Sequence, residues 1–128
     1  MKPATDSYIP GVCNINKKET AYRRKAGYVG VGVALVLFGI LLGLKLSKWT
    51  RLILFLPLYI GAIGFLQAKN KFCVAYGAEG KQNANEDSTE ATAVSDHAAR
   101  ARDKIKARSL NLQVAVITLG ISLFLYII

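Results

Sequence analysis

The sequence predicts an all-α membrane protein with three transmembrane helices: a hairpin of spans 1 and 2, then a long third helix with a cytoplasmic amphipathic extension. Three observations predict it. Two apolar runs, YVGVGVALVLFGILLGLKL and LILFLPLYIGAIGFLQA, lie between residues 28 and 68, joined by a turn around Ser47–Arg51, and neither contains an Asp or Glu. A third run, LNLQVAVITLGISLFLYII, covers residues 110–128. Hydrophobic residues make up 52% of the 128 and are bunched, whereas a soluble domain spreads them along amphipathic elements. Each run approaches the roughly 20 helical residues needed to cross a hydrocarbon core about 30 Å thick.

Charge sets the expected orientation. The formal net charge is +9. Six basic residues precede span 1 (Lys2, Lys17, Lys18, Arg23, Arg24, Lys25), and eight separate spans 2 and 3 (Lys69, Lys71, Lys81, Arg100, Arg102, Lys104, Lys106, Arg108). The hairpin turn has three: Lys45, Lys48 and Arg51. Excess Lys and Arg mark the cytoplasmic side, so the N-terminus and the 77–95 segment are expected in the cytoplasm and the C-terminus outside, in a bacterial inner membrane. All eight acidic residues fall on the cytoplasmic side. The first apolar run starts too late, after a polar lead, to read as a cleavable signal peptide.

Residues 1–16 form that lead, with a turn at Pro10-Gly11. Asn16 and Glu19 have capping-box spacing, which starts helix 1 near Lys17 and carries it to about Leu46. Arg23, Arg24 and Lys25 then stand beside anionic headgroups. Gly39 and Gly43 make a GxxxG, expected to pack against helix 2 of the same chain, with self-association or a partner subunit as the alternatives. Trp49 suits the outer interface. Pro57 is expected to kink helix 2, Gly61 and Gly64 follow as packing positions, and the helix is expected to continue to about Tyr76, with Gly77 as its stop.

Residues 77–95 are polar and poor in bulky side chains, and are expected to form a flexible loop. Either an Asp87-x-x-Glu90 capping box or Ser95 starts the next helix. From Asp96 on, Val94, Ala98, Ala101, Ile105 and Leu112 form an apolar stripe. Arg100, Lys104 and Arg108 lie on one edge, Arg102 and Lys106 on the other, and Asp96–Arg100 is an i,i+4 pair. Residues 96–128 thus read as one helix, from a basic amphipathic extension into the third span. Basic residues this close to the bilayer point to anionic headgroups rather than nucleic acid.

Chemistry is sparse. Cys13 and Cys73 are expected at the same cytoplasmic surface, close in space if the lead folds back over the end of helix 2, with Lys17, Lys18, Lys69 and Lys71 as a positive field for a thiolate. With the single His97 they fall short of a four-ligand zinc set, and no cofactor is implied. The segment Pro10-Gly-Val-Cys-Asn-Ile15, followed by Glu19, Arg23 and Arg24, and the later Phe65-Leu-Gln-Ala68 and Phe72-Cys-x-x-Tyr-Gly77 resemble small, uncharacterised bacterial three-span membrane proteins. The resemblance covers residues 8 to 77. It implies that the two cysteines belong to one recurring pattern, and it brings no activity.

The expectation is therefore a non-enzymatic small membrane protein, an accessory subunit or assembly factor of a larger complex. The alternatives are a membrane thiol protein using Cys13 and Cys73 in redox or metal chemistry, and a homo-oligomeric channel or transporter.

Overall fold

A computed structural model describes residues 8–85 and 90–128. Helix α1 (Lys17–Gly43) begins where the side-chain oxygen of Asn16 accepts the Glu19 amide at 3.0 Å, satisfying one of the free donors of the first turn. It ends three residues earlier than Leu46, because Lys45 turns left-handed (φ 55°) and the amides of Lys45 and Leu46 bond back to Leu42 and Leu41.

A 3-10 segment (Lys48–Leu54), capped by Ser47, leads into α2 (Phe55–Asn70). Pro57 does not kink this helix from within. It lies in the first turn of α2, where an α-helix leaves N–H groups unpaired in any case. With α4 (His97–Ile127), three helices are long and apolar enough to cross a membrane: Lys17–Gly43, Lys48–Asn70 and His97–Ile127.

The antiparallel seam between α1 and α2 is built on glycine. A Cβ on Gly30 would lie 2.5 Å from the Gly61 nitrogen, and one on Gly64 would lie 2.6 Å from the Gly27 nitrogen. The helices therefore touch backbone to backbone, as small residues allow in lipid. Phe65 covers Gly27 and meets Tyr28 edge-on, with ring centroids 4.9 Å apart. Gly61 and Gly64 serve this seam. Gly39 and Gly43 do not: among the described residues nothing lies within 4 Å of a Cβ placed on either. The expected packing of that GxxxG against helix 2 is corrected, because the contact runs through Gly27 and Gly30 nearer the start of α1.

Helix α2 does not reach Tyr76. Lys71 goes left-handed (φ 52°), with the Lys71 amide on Ala68 and the Phe72 amide on Gln67, a Schellman-type end made without glycine. A separate short helix α3 (Val74–Glu79) follows and stops at Gly80, whose φ of 73° suits glycine. Gly77 sits inside α3 rather than ending it. It is small because a Cβ there would meet the Phe72 ring at 2.7 Å and the Asp103 carbonyl at 3.0 Å. Phe72 is fully buried against Ala107 and Leu110, with Leu66 and Val74 around them.

The segment after α3 is corrected too. Strands β1 (Lys81–Gln82) and β2 (Thr92–Ala93) pair antiparallel, Lys81 opposite Ala93, and Asn83 bridges in parallel to Ile15 in the lead. Asn83 and Ala84 are buried. Backbone pairing holds residues 81–83 and 92–93, where apolar side chains are scarce. Residues 86–89, including Asp87 of the alternative capping box, lie outside the described residues.

Asp96, not Ser95, caps α4, accepting the Ala98 amide at 3.2 Å. Arg100 does not pair with Asp96; its Nε donates to the Val94 carbonyl. The buried face of α4 is Ala99, Asp103, Ala107, Leu110, Val114, Thr118 and Ser122. That face lies on roughly the opposite side of the helix from the expected stripe, whose Ala98, Ala101, Ile105 and Leu112 are exposed. Small side chains win because they admit α3 and α2 closely. At the turn end, Trp49 meets Tyr126 (centroids 5.3 Å apart), while Lys48 and Arg51 donate to the terminal α4 carbonyls of Ile127 and Leu125. These cations satisfy acceptors that the last turn leaves free.

Candidate functional site

The lead end of the bundle concentrates the chemistry. Asn14 is completely buried and holds the lead to the α2–α3 junction: its amide oxygen accepts the Cys73 N–H at 2.7 Å, its amide nitrogen donates to the Cys73 carbonyl at 3.2 Å, and its backbone N–H donates to Lys71 at 3.1 Å. Its own carbonyl accepts the Asn83 N–H at 2.8 Å. The Asn14 side chain thus copies a strand pairing with Cys73, while its backbone ties the lead to Lys71 and Asn83.

Beside it, Glu19 collects three donors. Arg23 and the Tyr76 hydroxyl each donate at 3.2 Å to one carboxylate oxygen, and the Asn83 amide donates at 2.6 Å to the other. Arg23 also lies 3.2 Å from the Cys73 sulfur and within 6.0 Å of the Tyr76 ring centroid. Burial first, and then the charge and hydrogen bond of Glu19, hold the Tyr76 phenol above its ordinary range. Arg23 is therefore turned inward, not toward headgroups as its place in the basic run implies.

A second latch joins the lead to α4. Asp103 is fully buried; one carboxylate oxygen accepts the Tyr8 hydroxyl and the other the Gly11 amide, each at 2.7 Å. Gly11 has a φ of 74°, so the turn that aims its N–H at Asp103 needs glycine. Burial, and after it the hydrogen bond and charge of Asp103, hold the Tyr8 phenol well above its ordinary range.

The two cysteines are on adjoining segments, and neither forms a disulfide. Their surroundings differ. Cys73 is buried and faces Arg23. Cys13 lines an open cleft of about 540 Å³ together with Lys17, Lys69 and Lys71, and its sulfur lies 3.5 Å from the Ile15 carbonyl. No group of three or more His, Cys, Asp or Glu side chains gathers among the described residues.

The other expected basic residues divide. Arg24 and Lys25 are exposed, and Arg24 lines the same cleft as Cys13. Arg100 folds over Gly80, while Lys106 donates to Asn70 at 3.1 Å. Arg102 is exposed beside the Gly11 turn, and Lys104 and Arg108 are exposed along a shallow groove with Val74 and Asn111.

Sequence reasoning missed Asn14, Asn83 and Asp103. For Asp103 a signal existed: it is a carboxylate amid basic residues, four positions from both Ala99 and Ala107. Its face is therefore the small-residue face. Asn14 gave no such signal, since an asparagine in a lead reads equally as turn or cap.

No family model, curated protein or solved structure matches the chain.

Proposed function

We propose that this chain is a non-enzymatic accessory subunit or assembly factor of a larger membrane complex, held in the bacterial inner membrane. One observation carries the reading: α1 presents Gly39 and Gly43 where nothing among the described residues lies within 4 Å of an added Cβ, while Gly27 and Gly30 are closed against α2. A span that lets another backbone approach, in a chain whose polar side chains at the lead end bind one another, suits a role in assembly. In mild detergent the wild-type chain is expected to co-purify with other subunits. Gly39→Leu with Gly43→Leu should release them without lowering the chain's own melting temperature. A wild-type chain that purifies alone, or a double variant with an unchanged complex, sinks the reading.

The basic asymmetry supports an orientation with residue 85 in the cytoplasm and Ile128 outside. Cysteine labelling at position 85 in intact cells, in a Cys13→Ser, Cys73→Ser background, is expected only after the membrane is permeabilised. Labelling from outside would reverse the orientation.

The Arg23 guanidinium, 3.2 Å from the Cys73 sulfur, favours one second reading, a membrane thiol protein. Under that reading, mild oxidation links Cys13 to Cys73 and either Cys→Ser variant loses function. Under the subunit reading, both variants assemble as wild type.

A further inference from the structure

We propose that the cleft between the lead, the start of α1 and the end of α2 is a binding site for the phosphate group of an anionic lipid. This goes beyond the subunit reading and does not depend on any partner being found.

Three features of the cleft carry it. The first is charge. Lys17, Arg24, Lys69 and Lys71 line the cleft, and no carboxylate does so among the described residues. The nearest acidic side chain along α1, Glu19, is already engaged by Arg23, Tyr76 and Asn83. Lys17, Thr20 and Arg24 recur at spacings of three and four, so they share one face of α1, and Lys69 and Lys71 come from the end of α2. The site is thus a two-sided cationic clamp rather than one basic helix edge.

The second feature is the apolar part of the wall. Ile9, Val12 and Ile15 complete the cleft, and Ile9 and Val12 are about half exposed, at 47% and 54%. A free phosphate has no use for such a wall. An amphiphile does, with its phosphate between the cations and the first part of its acyl chains along Ile9 and Val12.

The third is size and depth. A volume of about 540 Å³ is in the range of small-molecule sites and far exceeds a single phosphate. The cleft sits where α1 begins and α2 ends, the level at which a span meets headgroups, and Lys and Arg there are attracted to an anionic surface.

The test uses the full chain in detergent, with short-chain phosphatidylglycerol as probe, phosphatidylcholine as the neutral control and inorganic phosphate as the free-anion control. Cys13 lines the cleft, so its alkylation rate reports occupancy directly. Phosphatidylglycerol is expected to slow Cys13 alkylation severalfold, with phosphatidylcholine and millimolar inorganic phosphate leaving it unchanged. In native mass spectrometry the triple variant Arg24→Gln, Lys69→Gln, Lys71→Gln should retain phosphatidylglycerol at least about tenfold more weakly. A control removing two cations elsewhere, Lys104→Gln with Arg108→Gln, should retain it as wild type does. Circular dichroism confirms that each variant is folded, which substitution of exposed cations should leave intact. Equal loss in both variants would mean general attraction to the basic surface and overturn the site. Protection of Cys13 by inorganic phosphate as strong as by the lipid would overturn the lipid assignment, and protection by phosphatidylcholine would overturn the role of charge.

Discussion

Gly30→Ala and Gly64→Ala are expected to destabilise the α1–α2 hairpin by about 2–3 kcal/mol, the cost of forcing atoms into a close-packed contact. The added methyl on Gly30 meets the Gly61 nitrogen at 2.5 Å and the Pro57 carbonyl at 2.8 Å; on Gly64 it meets the Gly27 nitrogen at 2.6 Å and the Arg23 carbonyl at 2.7 Å. Every one of these is a backbone atom, so no side chain can rotate away and the helices must part. Gly39→Ala and Gly43→Ala supply the contrast. Both positions are open in the single chain, and alanine is the better helix former by up to about 1 kcal/mol, so these changes should be neutral or mildly stabilising. The sign of the effect therefore reverses along one helix. Detergent-denaturant titration followed by circular dichroism measures all four. If Gly30→Ala proves as stable as Gly39→Ala, the two backbones are not in contact.

Asp103→Ala is expected to release the lead from α4. A hydrogen bond to a charged group contributes roughly 1.5–3 kcal/mol, and Asp103 accepts two, from Tyr8 and from Gly11. Losing both should weaken lead docking by about 3 kcal/mol and leave the half-buried Gly11 donor without its acceptor. The spans are packed by other residues, so global helicity should survive. Hydrogen exchange across residues 8–16 is the measurement: the variant should exchange on the order of a hundredfold faster there, with α2 unchanged. Tyr8→Phe removes one bond only and should give a smaller increase.

The same latch has a pH signature. Asp103 and burial raise the Tyr8 phenol, so the folded state holds the Tyr8 proton more tightly than the free lead does. The contribution is complete below the ordinary phenol value of about 10 and falls as pH rises above it. Lead exchange should therefore accelerate above about pH 10 in the wild type, beyond the intrinsic rate, and lose that extra dependence in Tyr8→Phe. Equal pH dependence in both would mean that Tyr8 is not held by Asp103.

Three apolar runs of the right length, free of carboxylates, were sufficient by themselves to determine three helices able to span a membrane, because the hydrocarbon thickness sets the length and backbone hydrogen bonding sets the helix. The start of α1 at Lys17 was equally legible, since a cap works through its nearest neighbours in the chain. What the sequence could not decide was which face of each helix turns inward. In a membrane protein both the core and the lipid side are apolar, so hydrophobicity does not label the faces, and the seam is chosen by close backbone approach. That is why Gly27 and Gly30, rather than Gly39 and Gly43, meet α2, and why α4 buries Ala99, Asp103 and Ala107 while Ala98, Ala101 and Ile105 stay outside. The clasp at the lead end lay further still from view. Asn14 and Cys73 are 59 residues apart in the chain and Tyr8 and Asp103 are 95 apart, and contacts between such distant polar side chains exist only once the helices have packed.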